Sequence, residues 1–148
     1  MRLPADEFER TFRTNVYALY YLCKAALPEM AAGGSIINTS SIQAYQPTAA
    51  LMAYAATKGA IVTFSKALSE DAIKKGIRVN VVAPGPVWTP LIPATMPAEQ
   101  VAQRGASTPI GRTAHPAELA PVYVFLASQE SSYVVGEVIG VTGGKPIS

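Results

Sequence analysis

A chain of 148 residues, 49% hydrophobic and 15% charged, has the length of one domain and the makings of a substantial core, which excludes intrinsic disorder. Its net charge of +2, with no run of more than two Lys or Arg, implies neither nucleic acid nor an anionic membrane surface as a partner. No apolar run reaches the ~18 residues of a membrane helix and nothing at the N-terminus resembles a signal peptide, so a cytoplasmic location is expected.

Residues 4–31 carry Phe8, Phe12, Val16, Leu19, Cys23 and Ala26 at intervals of three and four. That is the stripe of an amphipathic helix lying on a sheet, with Asp6 and Glu7 at its positive end. The single cysteine, Cys23, cannot form an internal disulfide and reads as a small core residue. Asn15 lies beside the stripe and, on chemistry alone, is a polar helix residue. Gly33-Gly34 closes the segment, and the β-branched run from Ile36 opens a strand that ends at Ser41. Asn38-Thr39-Ser40 matches a glycosylation sequon, but inside a buried strand it is discounted.

A loop through Gln43, Tyr45, Gln46 and Pro47 leads to a second long helix, about 51–75, with Gly76 as its C-cap. Gly59 sits inside it. A mid-helix glycine costs about 1 kcal/mol relative to Ala, which suggests close approach of another backbone or of a cofactor. Ile77 to Ala83 reads as a second strand, followed by the turn Pro84-Gly85-Pro86. Residues 90–110, rich in Pro, Ala, Thr and Gln, read as a mobile flap over a substrate, with Trp88 and Leu91 at its root either lining an apolar pocket or simply packing. His115, the only histidine, stands before Pro116-Ala117-Glu118 as a helix-start residue, and no set of metal ligands is evident. The helix Pro116 to Ser128 tolerates Pro121 in its early turns, and Val138 to Val141 forms the last strand. Alternating helices and strands imply a parallel sheet with helices on both faces.

The chemistry concentrates between Ser41 and Lys58. Tyr54 and Lys58, four apart in an Ala-rich helix, lie one above the other on one face. A free phenol has a pKa near ~10, and a neighbouring cation favours the phenolate, each unit of lowering being worth about 1.4 kcal/mol. Ser41, on a rigid strand end facing the start of that helix, can hydrogen-bond a substrate oxygen. A lone Tyr-x-x-x-Lys also occurs on surface helices by chance. Taken in order, however, Ser41, Tyr54-Ala55-Ala56-Thr57-Lys58 and Pro84-Gly85-Pro86-Val87-Trp88-Thr89 resemble the short-chain dehydrogenase/reductase family.

The resemblance implies an α/β fold: the C-terminal half of a Rossmann-like doubly wound parallel sheet. It implies Asn15, Ser41, Tyr54 and Lys58 as the catalytic set, with Asn15 holding a water that links the Lys to solvent. It places the nicotinamide end of NADP or NAD, with a lean to NADP, against Tyr54, Lys58, Pro84, Gly85, Val87 and Thr89. The substrate would be a small carbonyl compound or alcohol, the flap 90–110 its lid, and the assembly a homo-oligomer, tetramer or dimer, through the two long helices. The loop sequences are similar to bacterial NADP-dependent aldehyde reductases and glucose-dehydrogenase-like stress proteins. The enoyl reductase branch spaces its Tyr and Lys more widely. Thr142 departs from the family, which has an acidic residue before the Gly pair.

Neither a Gly-x-Gly-x-x-Gly turn nor the family's Asn-Asn-Ala-Gly turn occurs in these residues, so 1–148 reads as a partial domain without the Gly-rich cofactor-binding half. With Met1 close to the first helix, a truncated gene product or misplaced start is expected. Three strands alone would then leave an apolar edge. A second reading is a catalytically inactive fragment, or a helper subunit that docks on a full-length relative.

Overall fold

The computed structural model describes residues 3–147. The first helix, α1 (residues 5–26), is α-helical over Ala5–Phe12, widens to a π-helix over Arg13–Tyr17 and returns to α over Ala18–Ala26. It stops short of residue 31 because Pro28 has no N–H to continue the ladder. Strand β1 (Ser35–Thr39) follows, then helix α2 (Met52–Ala72) and strand β2 (Arg78–Pro84). Residues 90–110 contain two one-turn helices, α3 (Leu91–Thr95) and α4 (Ala98–Ala102). Helix α5 (Pro116–Ala127) and strand β3 (Val138–Val141) complete the order.

The three strands are parallel in the order β1-β2-β3, with Ile36 opposite Val79 and Val82 opposite Ile139. Alternate residues of β1 face different helices. Asn38 donates to Ser65 of α2, while the Ser35 hydroxyl donates to the Leu126 carbonyl of α5 and Thr39 shares a hydrogen bond with the Tyr123 hydroxyl. Helices therefore cover both faces, as expected of this α/β class. The core centres on Ala72, Ile77 and Val79, with Leu27, Met30, Ile36 and Leu68 packed around them.

Gly76 caps the 3-10 turn Ile73–Lys75 that follows α2, with φ +73°, the left-handed conformation that glycine adopts at no steric cost. Pro116 occupies the first turn of α5 behind His115, as predicted, and Pro121 is accommodated within it.

Among the described residues nothing beyond its own helix backbone comes within 4 Å of where a Cβ on Gly59 would stand, so no other backbone of this chain makes the close approach expected there. One expectation is corrected. The apolar stripe of α1 is not a core face: of its six residues only Cys23 is buried, and Phe8 and Ala26 are exposed. Helix α1 leans on α2 and leaves a groove of about 420 Å³ against β1, because the sheet stops at β1 and offers no further strand for the helix to cross.

Candidate active site

Ser41 follows β1 in extended backbone (φ −163°, ψ 158°) and caps the single turn Ile42–Ala44, its Oγ accepting the Gln43 N–H at 3.2 Å. The side chain is buried and its own O–H remains available to donate to a substrate oxygen. Tyr54 and Lys58 lie in the first two turns of α2, which packs against that capped turn.

Lys58 is held in place from both ends. Its Nζ donates to the Thr39 carbonyl at 3.0 Å and stands 5.4 Å from the centre of the Tyr54 ring, within cation–π range. The Ser40 hydroxyl donates to the Lys58 carbonyl at 2.8 Å. Burial pushes the Lys58 ammonium below its ordinary pKa, because the charged form loses water it does not fully regain.

Asn15 sits in the π-helical turn of α1, the kind of local widening that re-aims a side chain. Its Nδ2 donates to Thr57 Oγ1 at 3.0 Å, and Thr57 in turn donates to the Tyr54 carbonyl at 2.7 Å. Three of the four residues, Asn15, Tyr54 and Lys58, are thus connected through α2, and Ser41 abuts them through the turn it caps. Thr57 and Ser40 were not singled out from sequence. The signal for Thr57 was a hydroxyl inside the helix immediately before the lysine, which fits neither solvent nor an apolar core.

The turn after β2 is clamped on two sides. Gly85 N–H donates to the Val141 carbonyl at 2.8 Å, and a Cβ on Gly85 would stand 2.9 Å from both Cα and O of Thr142, so only glycine fits there. Val87 bridges Ala114, Trp88 N–H donates to the Ala114 carbonyl at 2.8 Å, and the Thr89 carbonyl accepts from Ile92. Pro84, Gly85, Val87 and Thr89 therefore lie, like Ser41, at the carboxyl end of the sheet, where open α/β sheets bind ligands.

His115 starts α5, and Glu118 accepts its backbone N–H at 2.8 Å. Glu118 also takes both Nη groups of Arg112 at 2.8 Å; the hydrogen bond from that guanidinium, with the His115 N–H, holds its carboxyl down to about 2. Among the described residues no group of three His, Cys, Asp or Glu is placed to hold a metal, and no helix is long and apolar enough to cross a membrane.

A parallel sheet with this Tyr–Lys pair and glycine turn at its carboxyl end defines a Rossmann-like oxidoreductase class of fold. The chain belongs to the short-chain dehydrogenase/reductase family: residues 1–145 match the family model described as "Enoyl-(Acyl carrier protein) reductase". It is 51% identical over 148 residues to the uncharacterized oxidoreductase YhdF of Bacillus subtilis, covering 100% of this chain and 51% of that one. It is 52% identical over 142 residues to a glucose and ribitol dehydrogenase of Daucus carota, covering 96% and 49%. Among solved structures it is similar to a 3-oxoacyl-[acyl-carrier protein] reductase with bound NAD from Brucella melitensis. The TM-score is 0.81 at 38% identity, covering 97% of this chain and 53% of that one. The chain spans about half the length of the curated relatives it matches. These relatives are oxidoreductases, which does not favour the reading as a non-enzymatic chain.

Proposed function

We propose that this chain carries the acid–base half of an NAD(P)-dependent oxidoreductase that interconverts a carbonyl, as in an aldehyde, ketone or sugar, and the corresponding alcohol. The observation that carries the reading is Lys58 held over Tyr54 by the Thr39 carbonyl, one turn apart on α2.

In the reducing direction Tyr54 gives its phenolic proton to the carbonyl oxygen as that oxygen becomes a hydroxyl; in the oxidising direction the phenolate takes it back. Lys58 places its positive charge beside the Tyr54 ring. Ser41 donates to the reacting oxygen and holds it beside the phenol, and Asn15 completes the path by which the proton is replaced.

The residues present suit the nicotinamide end of a dinucleotide: the Gly85 turn admits no side chain, and Lys58 offers a cation beside Tyr54. A nicotinamide cofactor, when bound, supplies or accepts the hydride. Pro84, Gly85, Val87 and Thr89 would hold it together with Tyr54 and Lys58. The family match, and the NAD in the Brucella melitensis structure, support a nicotinamide cofactor. The lean to NADP rests on the loop sequences alone.

In this reading residues 1–148 are a partial domain, 90–110 form the substrate lid and the two long helices join copies in a homo-oligomer. A protein of about twice this mass in the source cells would meet the requirement of a complete dinucleotide fold.

Tyr54→Phe tests the assignment. Proton transfer by a positioned side chain contributes about 10²–10⁴-fold, so turnover should fall by that factor while cofactor affinity, measured by titration, stays within about twofold. Undiminished turnover in Tyr54→Phe would overturn the role.

A further inference from the structure

Between the β2 turn and the start of α5 the chain encloses a second cavity, about 370 Å³, walled by Trp88 and by two arginines, Arg104 and Arg112. Arg112 is committed, with both Nη groups on the Glu118 carboxylate. Arg104 is not. It is the only Lys or Arg between residues 79 and 111, and among the described residues it forms no salt bridge. One Nη donates to the Met96 sulfur at 3.3 Å, a weak acceptor, and its Nε is buried without a partner. Its charge therefore stands in the cavity wall without a carboxylate to balance it, and an anion entering the cavity would compensate a partly desolvated guanidinium.

The loop that presents it is fastened. Gly105, at φ +85°, packs so closely that a Cβ would stand 2.4 Å from Thr113 N, and Thr108 Oγ1 reaches the carbonyls of Gly105 (2.6 Å) and Arg112 (3.1 Å). Arg104 and Arg112, eight apart in sequence, are thereby pinned side by side. Trp88, which lines this cavity, follows directly in the chain on the turn of Gly85 and Val87 after β2.

We propose that this cavity is an oxyanion subsite in which Arg104 receives a carboxylate or phosphate group. The substrate class is then a small carbonyl compound or alcohol that bears such a group. Its role as a substrate subsite rests on the oxidoreductase reading above; the binding itself does not.

Trp88 is the sole tryptophan and lines the cavity, so its fluorescence reports on the site without cofactor or turnover. The protein is titrated with inorganic phosphate and, separately, with acetate, with chloride holding the ionic strength constant. A saturable change with phosphate alone points to a phosphate ester, and with acetate alone to a carboxylate. Arg104→Met should weaken that binding at least about tenfold, and Arg104→Lys, which keeps the charge but loses the planar fork, should weaken it by less. An identical response to chloride, or unaltered binding in both variants, overturns the proposal. Saturable anion binding alongside undiminished turnover in Tyr54→Phe would leave the site standing and remove the catalytic reading. No anion binding, with turnover lost in Tyr54→Phe, would do the reverse.

Discussion

β2 lies between two strands and is buried at every residue from Arg78 to Ala83, whereas β1, its immediate neighbour, has one partner strand and only Asn38 buried. The contrast extends to the helices. On α5, Leu126 is fully buried, and the buried Arg78 guanidinium of β2 donates to the Leu126 and Ser128 carbonyls and to the Ser131 hydroxyl, fastening the end of that helix to the sheet. On α1, Tyr17, Tyr20, Tyr21 and Leu22 are all exposed. The candidate site spans this divide: Tyr54 and Lys58 ride on α2, which packs on β2, but the Lys58 ammonium is tied to Thr39 of β1, and Asn15 of α1 is joined to α2 through Thr57.

The largest effect should separate the two sides directly. Leu126→Ala removes a fully buried side chain and is expected to cost about 2–5 kcal/mol of unfolding free energy, as large-to-small core changes do. Leu22→Ala, at a residue 71% exposed, should stay within about 0.5 kcal/mol. Urea denaturation of the two variants checks this. Comparable losses would mean that α1 is held as firmly as α5, and the division would fall.

A smaller effect should appear at the join. Thr57→Val keeps the volume but deletes the hydroxyl that accepts from Asn15 and donates to the Tyr54 carbonyl, a net loss of about 1 kcal/mol for each of the two hydrogen bonds. Amide exchange should then quicken over Arg13–Tyr17 and stay unchanged in β2. If exchange in that segment does not respond, Thr57 does not tie Asn15 to α2.

Much of this was legible in the sequence where local chemistry decides. Gly76 as a C-cap, His115 and Pro116 at a helix start and Val138 to Val141 as a strand each follow from residue types within a few positions. The sheet class followed from the alternation of elements, and the Tyr54–Lys58 stack from a spacing of four. What was not legible depends on partners distant in sequence. The π-turn at Arg13–Tyr17 uses residues that would serve equally in an α-helix. The absence of a close neighbour at Gly59 among the described residues and the exposed stripe of α1 depend on what lies beside them, and nothing in their own periodicity reports it. The burial of Arg78 depends on three acceptors 48 to 53 residues away.

The smallest expected effect tests whether charge contributes to the firm side. Glu118 takes up Arg112 and the His115 N–H at the start of α5, and both keep its carboxyl ionised to well below the ordinary 4.5. A carboxyl whose pKa is depressed by folding contributes stability that is fully present above its unfolded value. That contribution is lost as pH falls from about 4.5 toward about 2. Glu118→Gln keeps an acceptor for the His115 N–H but cannot pair with Arg112, so its melting temperature should lie slightly below that of the parent at neutral pH. The gap should close as the pH approaches 2. Because the pair is exposed and screened by water and salt, the neutral-pH gap should be far smaller than the loss in Leu126→Ala. A gap that rivals that loss would mean the firm side is held by its ion pair as much as by burial.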